Sequence, residues 1–217
     1  MIALTREALR DTELSWPVTA SRELARGQIG TFVEEDVTAP DGASLTREYL
    51  RHPGAVAVIA MDAEQRVALV RQYRHHVRSR LVEPPAGLLD VDGEHAVESA
   101  RRELAEEVGL AADRWHVLVD LFSTPGIVSE AIRIYLARDL RLVDAPDGFL
   151  RAGEEAEMDC VWASLDDLAD AVFAGDLHSP SLVSGVLAAF AARERDDFAT
   201  LRPADAPWPQ RRAVTGS

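Results

Sequence analysis

The sequence predicts a mixed α/β sandwich with a mixed sheet, preceded by an N-terminal antiparallel β-lobe, and three observations predict it. Residues 16–52 carry two or three strand-length patterns, the last two set around the turn Pro40-Asp41-Gly42-Ala43. Residues 55–61, AVAVIAM, form an unbroken apolar run, as expected of a strand covered on both faces. Residues 94–108 switch to helical period, with Ala96, Val97, Ala100, Leu104 and Val108 roughly on one face and charges on the others.

The elements follow in order. Residues 1–15 are polar and weakly patterned and are expected to fray. GTFVEEDVTA and SLTREYLRH flank the Pro40–Ala43 turn and complete a lobe over residues 1–52. A polar turn at Asp62–Gln65 separates AVAVIAM from the strand pattern VALVRQYRH. The run RLVEPPAG ends on Pro84-Pro85, which cannot continue a central strand. Asp92 and Gly93 sit where a helix start belongs, and Gly109 sits where a left-handed residue ends one. WHVLVDLFSTPG and AIRIYLARDL read as strands, DAPDGF as a loop, and RAGEEAEMDC as a polar, acidic stretch before VWASL. Asp166 to about Arg195 is helical, with a break near His178–Pro180. The main domain is expected over residues 53–198. The Pro-rich tail, residues 199–217, is expected to be disordered or draped on a neighbour.

Composition narrows the chemistry. The chain has 217 residues, enough to bury a sizeable core without staples. Its 23 basic residues are all Arg, which excludes a Lys Schiff base and a P-loop lysine. A formal net charge of -14 makes a general nucleic-acid binder a poor fit, because phosphate contacts need a basic surface. It leaves room for a small anionic substrate held by local Arg residues or by metal ions. A single cysteine, Cys160, cannot form an internal disulfide, and no segment reads as a signal peptide or a membrane helix. A cytoplasmic, soluble protein is the expectation, without membrane or nucleic-acid partners.

The informative stretch is residues 87–110, GLLDVDGEHAVESARRELAEEVGL. Glu103 and Glu107 are spaced i, i+4 and project from one helix face, with Glu106 at i+3 bordering it. Like charges at this spacing destabilise an isolated helix, so the sequence either leaves them solvated or uses them together. Hard divalent cations take carboxylate oxygens together with substrate phosphates. On spacing alone both readings stand: a solvated acidic face, or a metal cluster that receives a diphosphate.

The full string resembles the signature of the Nudix hydrolases, G-x5-E-x7-R-E-U-x-E-E-x-G-U with U a bulky apolar residue. The matching positions are Gly87, Glu94, Arg102, Glu103, Leu104, Glu106, Glu107, Gly109 and Leu110. Six residues rather than five separate Gly87 from Glu94, and the extra one lies in the loop before the helix. The resemblance spans about residues 54–175. It implies an α/β/α sandwich and hydrolysis of a nucleoside diphosphate linked to another moiety, with Mg²⁺ or Mn²⁺. By position it implies Glu103, Glu106, Glu107 and the Ala86 carbonyl as metal ligands, and Arg102 as a residue that orients a glutamate.

Three further segments resemble the ADP-ribose pyrophosphatase subgroup of that family. Pro125 lies fifteen residues after Leu110 in STPGIVSE, where the subgroup reads P-G-x-S-x-E; Val128 stands at the Ser position and Glu130 is kept. VRQYRHHVRSRLVEPPAGLLD is similar to the subgroup's Q-Y-R…E-L-P-A-G, which implies Arg74 and Glu83 beside the substrate. TREYL at residues 46–50 places Arg47 where the subgroup binds the nucleotide, often across a dimer interface. Hydrolysis also needs a group that takes a proton from water. The acidic loop EEAEM resembles the subgroup's Glu-Glu loop, which implies Glu155 as base or extra metal ligand, with Glu154 and Glu157 as substitutes. The implied reaction converts ADP-ribose and water to AMP and ribose 5-phosphate in a homodimer whose N-terminal lobes exchange. Two alternatives remain: another nucleoside diphosphate sugar or dinucleotide as substrate, or a sensor that binds ADP-ribose without cleaving it.

The other chemical residues carry weaker signals. His75 and His76 are expected on opposite faces of a strand, which argues against a two-His metal site. Cys160 is expected as a buried core thiol, and Trp16, Trp115, Trp162 and Trp208 as core or interface residues.

Overall fold

The computed structural model describes residues 3–144 and 158–211, and the chain divides into two units. The first takes the chain up to His52, with Thr124–Ser129 and the residues from Trp208 onward; the second takes Pro53–Ser123 and Glu130–Pro207.

The first unit is an antiparallel sheet in the order β1 (Val18–Arg26), β2 (Thr31–Thr38), β3 (Ser44–Arg51). The β2–β3 turn forms where Asp and Gly call for it. The Asp41 carboxylate accepts a hydrogen bond from the Ala43 N–H at 3.0 Å, and Gly42 takes the positive φ of +86°. Near the end of β3, the Leu50 backbone exchanges hydrogen bonds with Ile127 and Ser129, at 2.9 and 3.0 Å. Strand β1 is exposed along its whole length.

The second unit is an eight-stranded mixed sheet between helices. Its strands are β4 (Ala55–Met61), β5 (Arg66–Arg74), β6 (Ser79–Glu83), β7 (Ala86–Leu88), β8 (Leu110–Phe122), β9 (Ala131–Leu142), β10 (Asp159–Ser164) and β11 (Arg202–Pro203). The main path runs β10-β5-β4-β9-β8-β11, with β6 on β5 and β7 on β4. Among the described strand pairs of this sheet, β4 and β9 run parallel and the others antiparallel. Central β4 is buried on both faces, as its apolar run requires. Ala57, Ile59 and Met61 join the core beneath α2 (Leu165–Ala174) and α3 (Pro180–Asp196). The alternate residues face the side on which α1 (Ala96–Val108) packs against β4, β7 and β8. There Trp115 meets Tyr135 edge-to-face, with Arg101 lying over the indole.

Three expectations are corrected. The tail is ordered as far as it is described: β11 pairs with β8, and buried Arg133 donates to the Ala206 and Pro207 carbonyls at 2.7 and 3.2 Å. The same guanidinium clasps Asp120 at 2.7 and 3.0 Å, so one buried charge pair ties down a segment whose composition reads as loop. His75 and His76 lie in a short 3-10 turn rather than a strand, because Arg78 takes a left-handed φ of 52° and the chain reverses into β6. Cys160 is exposed, since its strand β10 forms the edge of the sheet. Of the four tryptophans, Trp115 is buried and Trp208 half-buried, whereas Trp16 and Trp162 are exposed. No described helix is long and apolar enough to cross a membrane.

Helix α3 reaches the sheet through Gly185. A Cβ there would meet Ile59 Cδ1 at 2.7 Å and Cγ1 at 2.8 Å, and Ile59 is fully buried. Gly185→Val should therefore lower unfolding stability by ~2–3 kcal/mol through overpacking, read from the urea midpoint.

Candidate active site

Helix α1 acquires its orientation from an amphipathic pattern with one anomaly. Its buried face carries Ser99, Ala100, Leu104 and also Glu107, a carboxylate only 7% exposed. A carboxylate is buried only where donors meet it. The Ala86 backbone N–H on β7 donates to Glu107 Oε2 at 3.0 Å. Helix α1 closes on Gly109, whose φ of 66° and N–H to the Ala105 carbonyl form a left-handed cap.

The remaining carboxylates gather around Arg102. Its Nη1 donates to Glu103 at 2.6 Å and to Glu106 at 3.3 Å, while Nε and Nη2 reach the two oxygens of Glu94 at 3.3 Å. The hydrogen bond from Arg102 holds the Glu94 carboxyl below the usual carboxylate range, and the Glu94 contact in turn raises Arg102 further above its own. The motif arginine thus supplies the positive charge that Glu103 and Glu106 on the helix, and Glu94 just before it, require. Ser99 helps to seat it. The Ser99 hydroxyl accepts from Arg102 Nη2 at 3.3 Å and donates to the Leu88 carbonyl at 3.4 Å, joining α1 to β7.

Gly87 sets the approach of strand to helix. A Cβ at this position would lie 2.1 Å from Glu103 Oε1 and 2.2 Å from its Cδ, so only glycine lets the carboxylate lie against β7. One step back along the chain, Glu83 is buried at the end of β6. It accepts from Gln72 Nε2 at 2.8 Å and from Arg74 Nε at 2.9 Å. The register pairing Val70 with Glu83 places these three residues on the adjoining strands β5 and β6.

The structure therefore brings together Ala86, Glu94, Arg102, Glu103, Glu106 and Glu107, and pairs Arg74 with Glu83. Glu130 opens the segment leading into β9, where its carbonyl accepts from the Ser123 N–H at 3.3 Å. Arg47 belongs to the first unit, on β3 opposite Glu35, and donates to the Thr46 carbonyl at 2.9 Å. Glu154, Glu155 and Glu157 lie outside the described residues. Sequence reasoning passed over Gln72 and Ser99. The available signals were a glutamine two residues before an arginine on a strand, and a serine on the buried face of the motif helix.

Glu103, Glu106 and Glu107 supply hard oxygen donors at i, i+3 and i+4, which could hold a divalent cation of the Mg²⁺ or Mn²⁺ type. Among the described residues no group of three acidic, His or Cys side chains converges into a ready-made cage. The geometry gives the reason: Arg102 takes Glu103 and Glu106, and the Ala86 N–H takes Glu107. The donor set fits a hard cation, provided the side chains turn from these partners towards it. Gly87→Ala tests the arrangement. It should displace the Glu103 carboxylate and lower metal-dependent kcat/KM by about 10²-fold, with a melting temperature near that of the parent.

Comparison with known proteins identifies the family. The NUDIX domain model matches residues 51–181. The chain is 42% identical over 196 residues to an ADP-ribose pyrophosphatase of Mycobacterium tuberculosis, covering 90% of this chain and 92% of that protein. It is 34% identical to a methanol dehydrogenase activator of Bacillus methanolicus, over 68% of this chain and 77% of that one. A crystal structure of an ADP compounds hydrolase superposes with a TM-score of 0.70 at 23% identity, covering 87% of this chain and all of the other, a likeness of fold. With the motif residues gathered on α1 and the domain match running through the second sheet, the chain belongs to the Nudix hydrolase family.

Proposed function

We propose that this Nudix hydrolase cleaves the diphosphate bond of ADP-ribose. Water attacks one phosphorus, the bond from that phosphorus to the bridging oxygen breaks, and AMP and ribose 5-phosphate leave. The observation that carries this reading is the 42% identity, over 90% of the chain, to the ADP-ribose pyrophosphatase of Mycobacterium tuberculosis. The complete motif carboxylate set supports hydrolysis over mere binding.

Members of the family generally need divalent metal ions, and here Glu103, Glu106, Glu107 and the Ala86 carbonyl would hold Mg²⁺ or Mn²⁺. A bound ion of this kind neutralises charge that builds up on the diphosphate oxygens. Arg102 orients Glu103 and Glu106 from behind and holds the helix face together against its own repulsion. Arg74, steadied by buried Glu83, meets the anionic substrate. Glu130 and Arg47 contribute further substrate contacts. Glu155 takes the proton from the attacking water, and Glu154 or Glu157 substitutes for it. The N-terminal unit mediates a homodimer, and its fully exposed β1 supports that reading. The reaction suits a cytoplasmic enzyme acting on a small nucleotide.

Glu107→Gln is the sharpest test of the metal assignment. Its carbonyl oxygen can still accept from the Ala86 N–H, so the fold should survive. Metal-dependent turnover should fall by about 10²–10³-fold; full activity in the variant would sink the assignment. The substrate is tested by phosphate-release kinetics on ADP-ribose, other nucleoside diphosphate sugars and dinucleotides. ADP-ribose should show the highest kcat/KM, and a dinucleotide or another sugar in first place would replace it.

A further inference from the structure

A recess lies at the opposite end of β4 from β7. It is a cavity of about 520 Å³ enclosed by the turn after β4, residues of β8 and β9, and the corner after α3. The β8–β9 register places Arg114 opposite Arg138 and, two residues along on the same face, His116 opposite Leu136. Leu136 belongs to the core beneath α3, so Arg138 is the next residue on that face where the apolar core stops. After α3, Asp197 and Phe198 both adopt positive φ, 52° and 68°. Such a backbone is unfavourable for a bulky aromatic residue. It turns the buried Phe198 ring beneath Arg138, whose guanidinium carbon stands 4.7 Å from the ring centroid.

The charges around this recess are unevenly paired. Arg114 clasps Asp139 through two N–H groups, one of them at 2.8 Å. Arg66 takes Asp62 at 2.7 Å and Glu64 at 3.4 Å. Asp197 stands exposed at the edge. The Arg138 Nε is buried and meets no acceptor among the described residues. His116 Nδ1 beside it is buried and unpartnered as well. Folded proteins pair nearly all such groups, so an orphaned Nε beside a cavity needs an explanation. Burial and then the neighbouring Arg114 also push the Arg138 guanidinium below its ordinary range, outweighing Asp197 and Asp139, which act the other way.

The geometry points to a second ligand site here, for a small organic carboxylate whose planar oxygens pair with Arg138 and whose apolar body lies against Met61 and Leu140. A carboxylate matches the guanidinium fork in shape. Single charge follows from the rim, because Asp62, Glu64, Asp139 and Asp197 would repel a polyanion. The site is thus opposite in preference to α1, and it stands whether or not ADP-ribose is the substrate.

Titration of benzoate at constant ionic strength into the full chain labelled with 15N-arginine tests this. The Arg138 Nε–H resonance should shift saturably, with a midpoint of about 1–10 mM, and pyrophosphate should shift it less. Arg138→Met keeps an apolar stem over Phe198 and should weaken benzoate binding by about tenfold or more in calorimetry. Its kcat/KM on the nucleotide substrate should stay within about twofold, since Arg138 lies outside the α1 cluster. Arg138→Lys keeps the charge over the ring but loses the fork, and serves the same purpose where the Met variant does not fold. No saturable shift, undiminished binding in a folded variant, or tighter binding of pyrophosphate than of benzoate would overturn the assignment.

Discussion

Mutual repulsion among carboxylates on one turn of α1 is the constraint around which the second unit is built. Glu103, Glu106 and Glu107 cannot share a helix face, one of them buried, unless donors or cations answer them. The protein answers twice. Arg102 draws Glu94, Glu103 and Glu106 to one guanidinium, and the Ala86 N–H satisfies Glu107 from the neighbouring strand. A helix held this way keeps its acidic groups together and exchangeable, which is what a hard cation and a diphosphate need.

That arrangement depends on the sheet behind it. Strand β4 is buried on both faces, so it fixes β7 on one side and the parallel β9 on the other. Gly87 then lets Glu103 approach the β7 backbone, and Ser99 binds helix to strand through Leu88. Gln72 and Arg74 hold Glu83 by the same logic: a buried charge fixed by flanking donors on a neighbouring strand. Precision in such a site comes from these supports as much as from the groups that touch substrate.

The two ends of β4 differ in how they handle charge. At the β7 end Arg102 sits among Glu94, Glu103 and Glu106, and Arg74 pairs with Glu83. At the Met61 end Arg138 lies over the face of Phe198 with its Nε unpartnered, and two consecutive left-handed residues place that ring. Arg133, more deeply buried, is satisfied by Asp120 and two carbonyls. The contrast between these two arginines on one strand makes the Arg138 recess the unusual one.

The local chemistry of α1 was legible in the residues themselves. Its spacing aligns Glu103, Glu106 and Glu107, its apolar period turns the helix inward, and Gly109 ends it, because these effects act within one or two helical turns. The buried character of β4 was legible for the same reason: an unbroken apolar run leaves no polar face to expose. Other features depended on contacts between distant parts of the chain. The tail composition reads as loop, yet Arg133, more than seventy residues away, orders it through two carbonyls. Cys160 follows an apolar-compatible pattern, but burial depends on whether a strand is central or at the edge, and β10 is at the edge. The need for glycine at position 87, the pairing of Gln72 with Glu83 and the unpartnered Nε of Arg138 likewise depend on which strands become neighbours, because only tertiary packing sets those distances.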